Sequence, residues 1–326
     1  MIFLLRRLAQ GALVMLVVAL VAFLMFRFMG DPVRGMLRED ATLQEQQELR
    51  DRLGLDRPLV VQFAKFVGGA LQGEFGVSWR NQQPVMELIL DRLPATIELV
   101  VVAMIIALLL GVPLGVWSAL NRHRPQASLL QTVSLIGIST PTFVTGILLI
   151  LVFAVILGWL PSFGRGETVE IGFWRTGYLT ASGWKALILP ACTLALYQLA
   201  LFMRLVRAEM LDVMRQDFVR FARARGLPTR LVRFRHALRN ALMPLVTIAG
   251  MQVGSLIAFA IVTETVFQWP GMGFLFLQAV QFVDIPVMAA YLVFIGFIFV
   301  VLNIAVDVLY TLIDPRLRTG GAGAGR

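Results

Sequence analysis

Six apolar runs divide the chain, at 8–29, 96–119, 127–157, 186–206, 244–264 and 287–311. A bilayer core about 30 Å thick takes about 20 apolar residues of helix, so each run is long enough to cross it. The polar stretches between them are loops, with two patterned exceptions. From Leu59 to Leu71 the apolar positions recur at helical spacing and place Val60, Phe63, Phe66, Val67 and Leu71 on one side, which predicts a helix lying on the membrane or on the spans. Ahead of it, Thr42 and Glu45 have the spacing of a capping box that opens a polar helix, Leu43 to Leu53, ended by Gly54 and Pro58. Pro161 to Trp184 mixes Gly, Trp and Tyr without a period, and no element is assigned there.

The organisation that follows is all-α and polytopic, with six transmembrane helices: a first span at 1–29, a patterned loop at 30–95, a five-helix core at 96–311 and a tail at 312–326. Arg6 and Arg7 ahead of the first run suggest a signal peptide, but the run is longer than an ordinary h-region and lacks a small-residue cleavage site, so it reads as an uncleaved span. Pro113, Pro141, Pro190 and Pro244, with Gly137, Ser139 and Thr140 nearby, predict kinks and close helix contacts. The Gly/Ala-rich end, Gly320 to Arg326, reads as disordered.

Composition agrees with this reading: 58% of the 326 residues are hydrophobic and 15% charged. Mean hydropathy is +0.79. Charge then sets the orientation. Ten arginines against three acids lie between Arg204 and Arg239, and the loops on the same side of a six-span chain carry 17 Lys and Arg in all. The opposite loops carry 11, and the larger of these, 30–95, balances its 8 bases with ten acids. The positive-inside rule therefore places both termini and the 207–243 loop in the cytoplasm.

Several chemistries are excluded by what is missing. The only lysines, Lys65 and Lys185, stand in no G-x-x-x-x-G-K-[ST] phosphate loop, so the chain is not its own P-loop ATPase. There is no H-E-x-x-H and no G-x-S-x-G, and the two histidines, His123 and His236, fall on the basic loops; no metal site or catalytic residue is expected. No basic stretch carries the aromatic or zinc-ligand pattern of a nucleic-acid module. Cys192 is single and reads as a core residue. Glu264 and Asp307 are the candidates for ion coupling, but both fall toward span ends, where interhelical bonding is the plainer role.

One ordered block inside the basic loop asks for a partner as well as a side. It runs Arg207-Ala208-Glu209-Met210-Leu211, Arg215-Gln216-Asp217-Phe218-Val219-Arg220, Ala222-Arg223-Ala224-Arg225-Gly226-Leu227 and Arg235-His236-Ala237-Leu238-Arg239-Asn240-Ala241-Leu242-Met243-Pro244. With Leu53-Gly54-Leu55-Asp56-Arg57-Pro58, Gly73-Glu74-Phe75-Gly76-Val77-Ser78, Arg92-Leu93-Pro94-Ala95-Thr96, Leu189-Pro190-Ala191, Thr263-Glu264-Thr265-Val266-Phe267 and Trp269-Pro270-Gly271, the chain resembles the permease subunits of ATP-binding-cassette importers, in the dipeptide/oligopeptide branch. The wider family's Glu-Ala-Ala stands here as Arg220-Phe221-Ala222, with a longer spacing to Pro244.

The resemblance implies a type I importer architecture and a coupling helix seated in a cleft of a separate ATPase. Phe218, Phe221 and Ala222 would pack in that cleft, with Asp217, Arg220, Arg223 and Arg225 pairing around it, Ala224 between them and Gly226 ending the helix. It further implies a second related permease, two ATPases that bind ATP and Mg, and an extracytoplasmic solute-binding protein in the bacterial inner membrane system. This chain would hold no cofactor of its own. Candidate path residues are Gln198, Thr247, Gln252, Ser255 and Glu264, for which helix-to-helix hydrogen bonding is the competing role. Glutathione, nickel chelates and sugars remain open as cargo beside small peptides, an ion-coupled transporter is the competing class, and a membrane anchor or receptor for a complex is a third.

Overall fold

The computed structural model describes residues 2–28, 42, 44, 45, 47, 48 and 57–313. The capping box forms as expected: Thr42 N–H and Oγ1 donate to Glu45 Oε2 at 2.8 and 3.0 Å, and Glu45 N–H donates to Thr42 Oγ1 at 3.3 Å. Most of the polar helix expected after it, and the Gly/Ala-rich end, lie outside the described residues.

The first span is α1 (Ile2–Phe28), and α2 (Leu59–Gln72) is the amphipathic helix. Its Phe63 and Phe66 rings meet Phe23 of α1 at centroid distances of 5.5 and 6.0 Å. Val60 and Leu71, on the same side, are exposed beyond this contact.

The second span, α3 (Val85–Leu120), is longer than its apolar run because its polar start is helical too; Pro94 and Pro113 both lie inside it. The third differs more. It is not one helix but α4 (Pro125–Ser139) and α5 (Thr142–Leu149), continued by a π-helical turn at Ile150–Ile156, with the two arms bent by 107°. A residue before proline is pushed out of the helical region, and Thr140 accordingly sits extended at φ −82°, ψ 127°. Among the described residues five helices are thus long and apolar enough to cross a membrane, and six spans are reached when the bent pair counts as one.

The aperiodic stretch at 161–184 contains a small antiparallel hairpin, β1 (Val169–Ile171) and β2 (Trp174–Thr176), with Val169 opposite Thr176. Next come α6 (Ala181–Val213), with Pro190 inside it, and α7 (Asp217–Ala224). A helical return of three parts follows: Thr229–Leu231, the π-helical Val232–Ala237 and Leu238–Ala241. The chain then passes through α8 (Met243–Val266), which Pro244 opens in its first turn, a short α9 (Met272–Gln281) that the sequence pattern did not predict, and α10 (Ile285–Ile313).

The bundle is organised around the α3–α6 pair. Gly111 and Gly115, four residues apart, face α6 so closely that a Cβ at Gly115 would stand 2.6 Å from the Met203 carbonyl oxygen. Such small-residue spacing lets two backbones approach where lipid supplies no hydrophobic drive between helices. Leu99, Ala103 and Ala107 of α3, Leu194, Phe202 and Val206 of α6, and Leu256 and Ala260 of α8 make the main core. At the end away from the basic loop, Val85 and Ile89 close over Met272, Leu275, Val287 and Met288.

Candidate functional site

The basic end of the bundle presents α7. Val219 and Ala222 are buried at 0% and 7% exposure against the chain itself, and they fix which side of this two-turn helix is left over. That side carries Phe218, 39% exposed, and Phe221, 62% exposed. Asp217, Arg220, Arg223, Ala224 and Arg225 surround them, all exposed. Arg220 Nη1 lies 3.5 Å from Asp217 Oδ1, and the Arg225 guanidinium lies 5.1 Å from the Phe221 ring centre. Gly226 ends the helix at φ +76°, a left-handed conformation that costs glycine nothing, while its N–H and that of Leu227 return to the Arg223 and Ala222 carbonyls at 2.9 and 3.3 Å. The expected set therefore falls on one helix and its cap, with one correction: Ala222 faces inward and is not part of the open surface.

The end away from the basic loop is built on three buried carboxylates. Glu264 lies at the end of α8 and is wholly enclosed. Its Oε1 accepts from the Thr96 hydroxyl at 2.6 Å and its Oε2 from Phe274 N–H at 2.9 Å, and Thr96 Oγ1 also accepts Met272 N–H at 2.8 Å. A Cβ on Gly271 would overlap this carboxylate, which gives the Trp269-Pro270-Gly271 segment its reason.

Glu98 on α3 is the second. Arg165 Nη2 donates to Glu98 Oε2 at 2.7 Å and to the Arg175 carbonyl at 2.6 Å, and Gly177 N–H reaches the same carboxylate oxygen at 3.3 Å. The Tyr178 hydroxyl donates to the Glu98 carbonyl at 3.0 Å; burial first and the Glu98 charge second push it up to about 12. The Arg165 guanidinium lies 5.9 Å from the centre of the Trp269 ring, and Trp269 Nε1–H donates to Ala95 at 2.9 Å. The third carboxylate, Asp284, accepts from Ser78 Oγ at 2.5 Å and from Trp79 N–H at 3.2 Å, so it pins the Gly73–Ser78 segment. Sequence reasoning missed Glu98 and Asp284, although Glu98 lies inside an expected span, where any ionisable residue is a signal.

Gln198, Thr247, Gln252, Ser255 and Glu264 do not form one surface. Glu264 belongs to the enclosed knot just described and faces no passage. Ser255 lines an apolar groove between α1, α8 and α10, with Val14, Val18 and Phe299. Thr247 and Gln252 are half-buried along α8. Gln198 faces a cavity of about 300 Å³ at the break between α4 and α5. The other ionisable candidate, Asp307, is paired: Arg7 Nε lies 3.0 Å from its Oδ2 and ties α1 to α10.

Residues 111–319 match the family model described as the inner membrane component of binding-protein-dependent transport systems, and residues 1–100 match the corresponding N-terminal model. The dipeptide transport system permease protein DppB of Alkalihalophilus pseudofirmus is 37% identical over 301 residues, 89% of this chain and 90% of the relative. The glutathione transport system permease protein GsiC of Escherichia coli K12 is 38% identical over 303 residues, 93% of this chain and 94% of the relative. Among solved structures, a chain of the MetNI methionine ABC transporter in inward facing conformations agrees with TM-score 0.55 and 19% identity, over 70% of this chain and 97% of that one; this likeness carries the fold.

Proposed function

The chain belongs to the family of inner membrane components of binding-protein-dependent transport systems, and we propose that it is the permease subunit of an ATP-driven importer of small peptides. The observation that carries the coupling half of this reading is α7: two exposed phenylalanines among arginines, held by a buried Val219 and Ala222, outside every span. An amphipathic helix of this kind lays its apolar side into a groove on a partner. In this reading the groove belongs to an ATPase subunit, one of two that bind ATP and Mg, and nucleotide-driven closure moves the spans through α7. This chain supplies the path, with a second related permease beside it and a solute-binding protein at the other face. In this reading, on the strength of the positive-inside count, α7 and both termini lie in the cytoplasm and the 169–176 hairpin outside.

The peptide assignment rests on the DppB relative. Glutathione, itself a tripeptide, is the second reading, carried by the GsiC relative at similar identity. Ion coupling is disfavoured because Glu264 is enclosed and Asp307 is paired with Arg7. Reconstitution of the permeases with their ATPases and peptide-loaded binding protein in liposomes tests the proposal. Peptide uptake is expected with ATP and absent with a proton or sodium gradient alone. Uptake driven by either gradient without ATP overturns it.

A further inference from the structure

The break in the third span opens beside Gln198, near the middle of α6, and broken spans are where transporters place polar groups. The cavity it opens is lined by Ser139, Thr140, Thr142, Tyr197, Gln198 and Phe259, among others, and none of its described lining residues is charged. Gln198, in the middle of α6, is 2% exposed, and its Oε1 has no hydrogen-bond partner among the described residues. A buried acceptor left without a donor is costly in so apolar a setting, and side chains of this kind are otherwise satisfied. Of the cavity's hydroxyls, Ser139 Oγ and Thr140 Oγ1 already give their hydrogens to the Leu135 and Ile136 carbonyls at 3.0 and 2.8 Å, and neither Thr142 nor Tyr197 bonds Gln198 Oε1. The site thus joins an unpaired amide oxygen to two further hydroxyls without a charge among its described lining, and suits a neutral amide.

We propose that this cavity is a subsite for the main chain of the peptide in transit, in which Gln198 Oε1 accepts a hydrogen bond from a substrate amide N–H. The inference rests on the peptide-permease reading and deepens it. A peptide bond presents this N–H whatever its side chains, so one fixed acceptor serves cargo of varied sequence. An acceptor lost at this point raises the barrier to passage without touching energy supply.

The test uses the full complex in liposomes with ATP and saturating loaded binding protein, so that capture by the binding protein does not set the rate. The probes are a tripeptide of alanine and the same tripeptide N-methylated at one peptide bond, which removes a donor. Wild type should move the methylated peptide several-fold to about tenfold more slowly, the range one hydrogen bond supplies. Gln198→Met, close in shape but unable to accept, should move both peptides at the slow rate. Gln198→Glu, which keeps an acceptor, should still discriminate. Wild-type discrimination in Gln198→Met overturns the proposal. So does loss of the second permease on purification of Gln198→Met, since Gln198 then bonds across the subunit boundary. If the wild-type complex moves neither peptide with ATP, the peptide-permease reading itself fails; movement of both with no discrimination fails the subsite alone.

Discussion

Thr96 and Glu264 lie 168 positions apart in the chain, and the Thr96 hydroxyl hydrogen bonds Glu264 Oε1 at 2.6 Å. The same hydroxyl accepts the Met272 N–H, so one oxygen joins α3, the end of α8 and the start of α9. The carboxylate thereby ties three elements together at one point.

Glu264→Ala should therefore destabilise the protein by about 2–3 kcal/mol, the cost of stranding the Thr96 hydroxyl and the Phe274 N–H, with a visible fall in the thermal midpoint of the purified complex. Glu264→Gln keeps an acceptor for one of them and should retain ATP-driven uptake. Abolition of uptake by Glu264→Gln in a complex of unchanged thermal midpoint would show a functional carboxylate.

The buried Arg165 and Glu98 pair predicts a non-additive pattern. Arg165→Met leaves the Glu98 charge enclosed with one long N–H contact and should cost about 3–5 kcal/mol. Adding Glu98→Gln removes the stranded charge and should restore much of that loss. Unfolding of the two single variants and the double variant checks this, and simple additivity would refute it.

Tyr178 predicts a pH dependence in the alkaline range. The folded protein holds the hydroxyl proton to about 12, against an ordinary value near 10, so folding favours the protonated form. Its contribution is constant below about pH 10 and is lost as pH rises from 10 through 12. Thermal stability measured across that window should fall more steeply for wild type than for Tyr178→Phe; parallel curves would show that the hydroxyl titrates freely.

At the other end, Phe221→Asp places a charge on the open side of α7, and Gly226→Val puts a β-branched residue at φ +76°. The first should cost several kcal/mol of docking in an apolar groove and the second about 1 kcal/mol or more of helix termination. No neighbouring atom lies within 4 Å of a Cβ at Gly226, so its effect comes from backbone angle alone. Both variants should insert normally yet lose ATPase subunits on purification, or hydrolyse ATP without response to loaded binding protein. Wild-type coupling in both would move the contact away from α7.

The spans were legible because a bilayer sets a minimum length of apolar helix, and the α7 stop was legible because Gly226 follows a short run with no other breaker. What a proline does was not. Pro94, Pro113 and Pro190 stay inside continuous helices while Pro141 opens a 107° bend, and the choice depends on neighbours that meet the freed backbone groups. The pairings of Ser78 with Asp284 and of Arg165 with Glu98 join residues 206 and 67 positions apart, a separation that no local pattern records. The spacing of Gly111 and Gly115 was present as a signal and marks a close approach of α3 to α6.

The length of α6 has a mechanical consequence. At helical rise its 33 residues form a rod of about 50 Å, some 20 Å longer than the bilayer core. One end begins beside the hairpin held by Glu98, and the other stops four residues before α7. In the proposed reading, with the end beside Glu98 held, α6 would act as a lever with its fulcrum at that clamp, and a tilt of about 10° would carry the far end through roughly 9 Å. Gln198 lies between the ends, so a displacement applied at α7 would reach the cavity beside it reduced in proportion to the shorter arm.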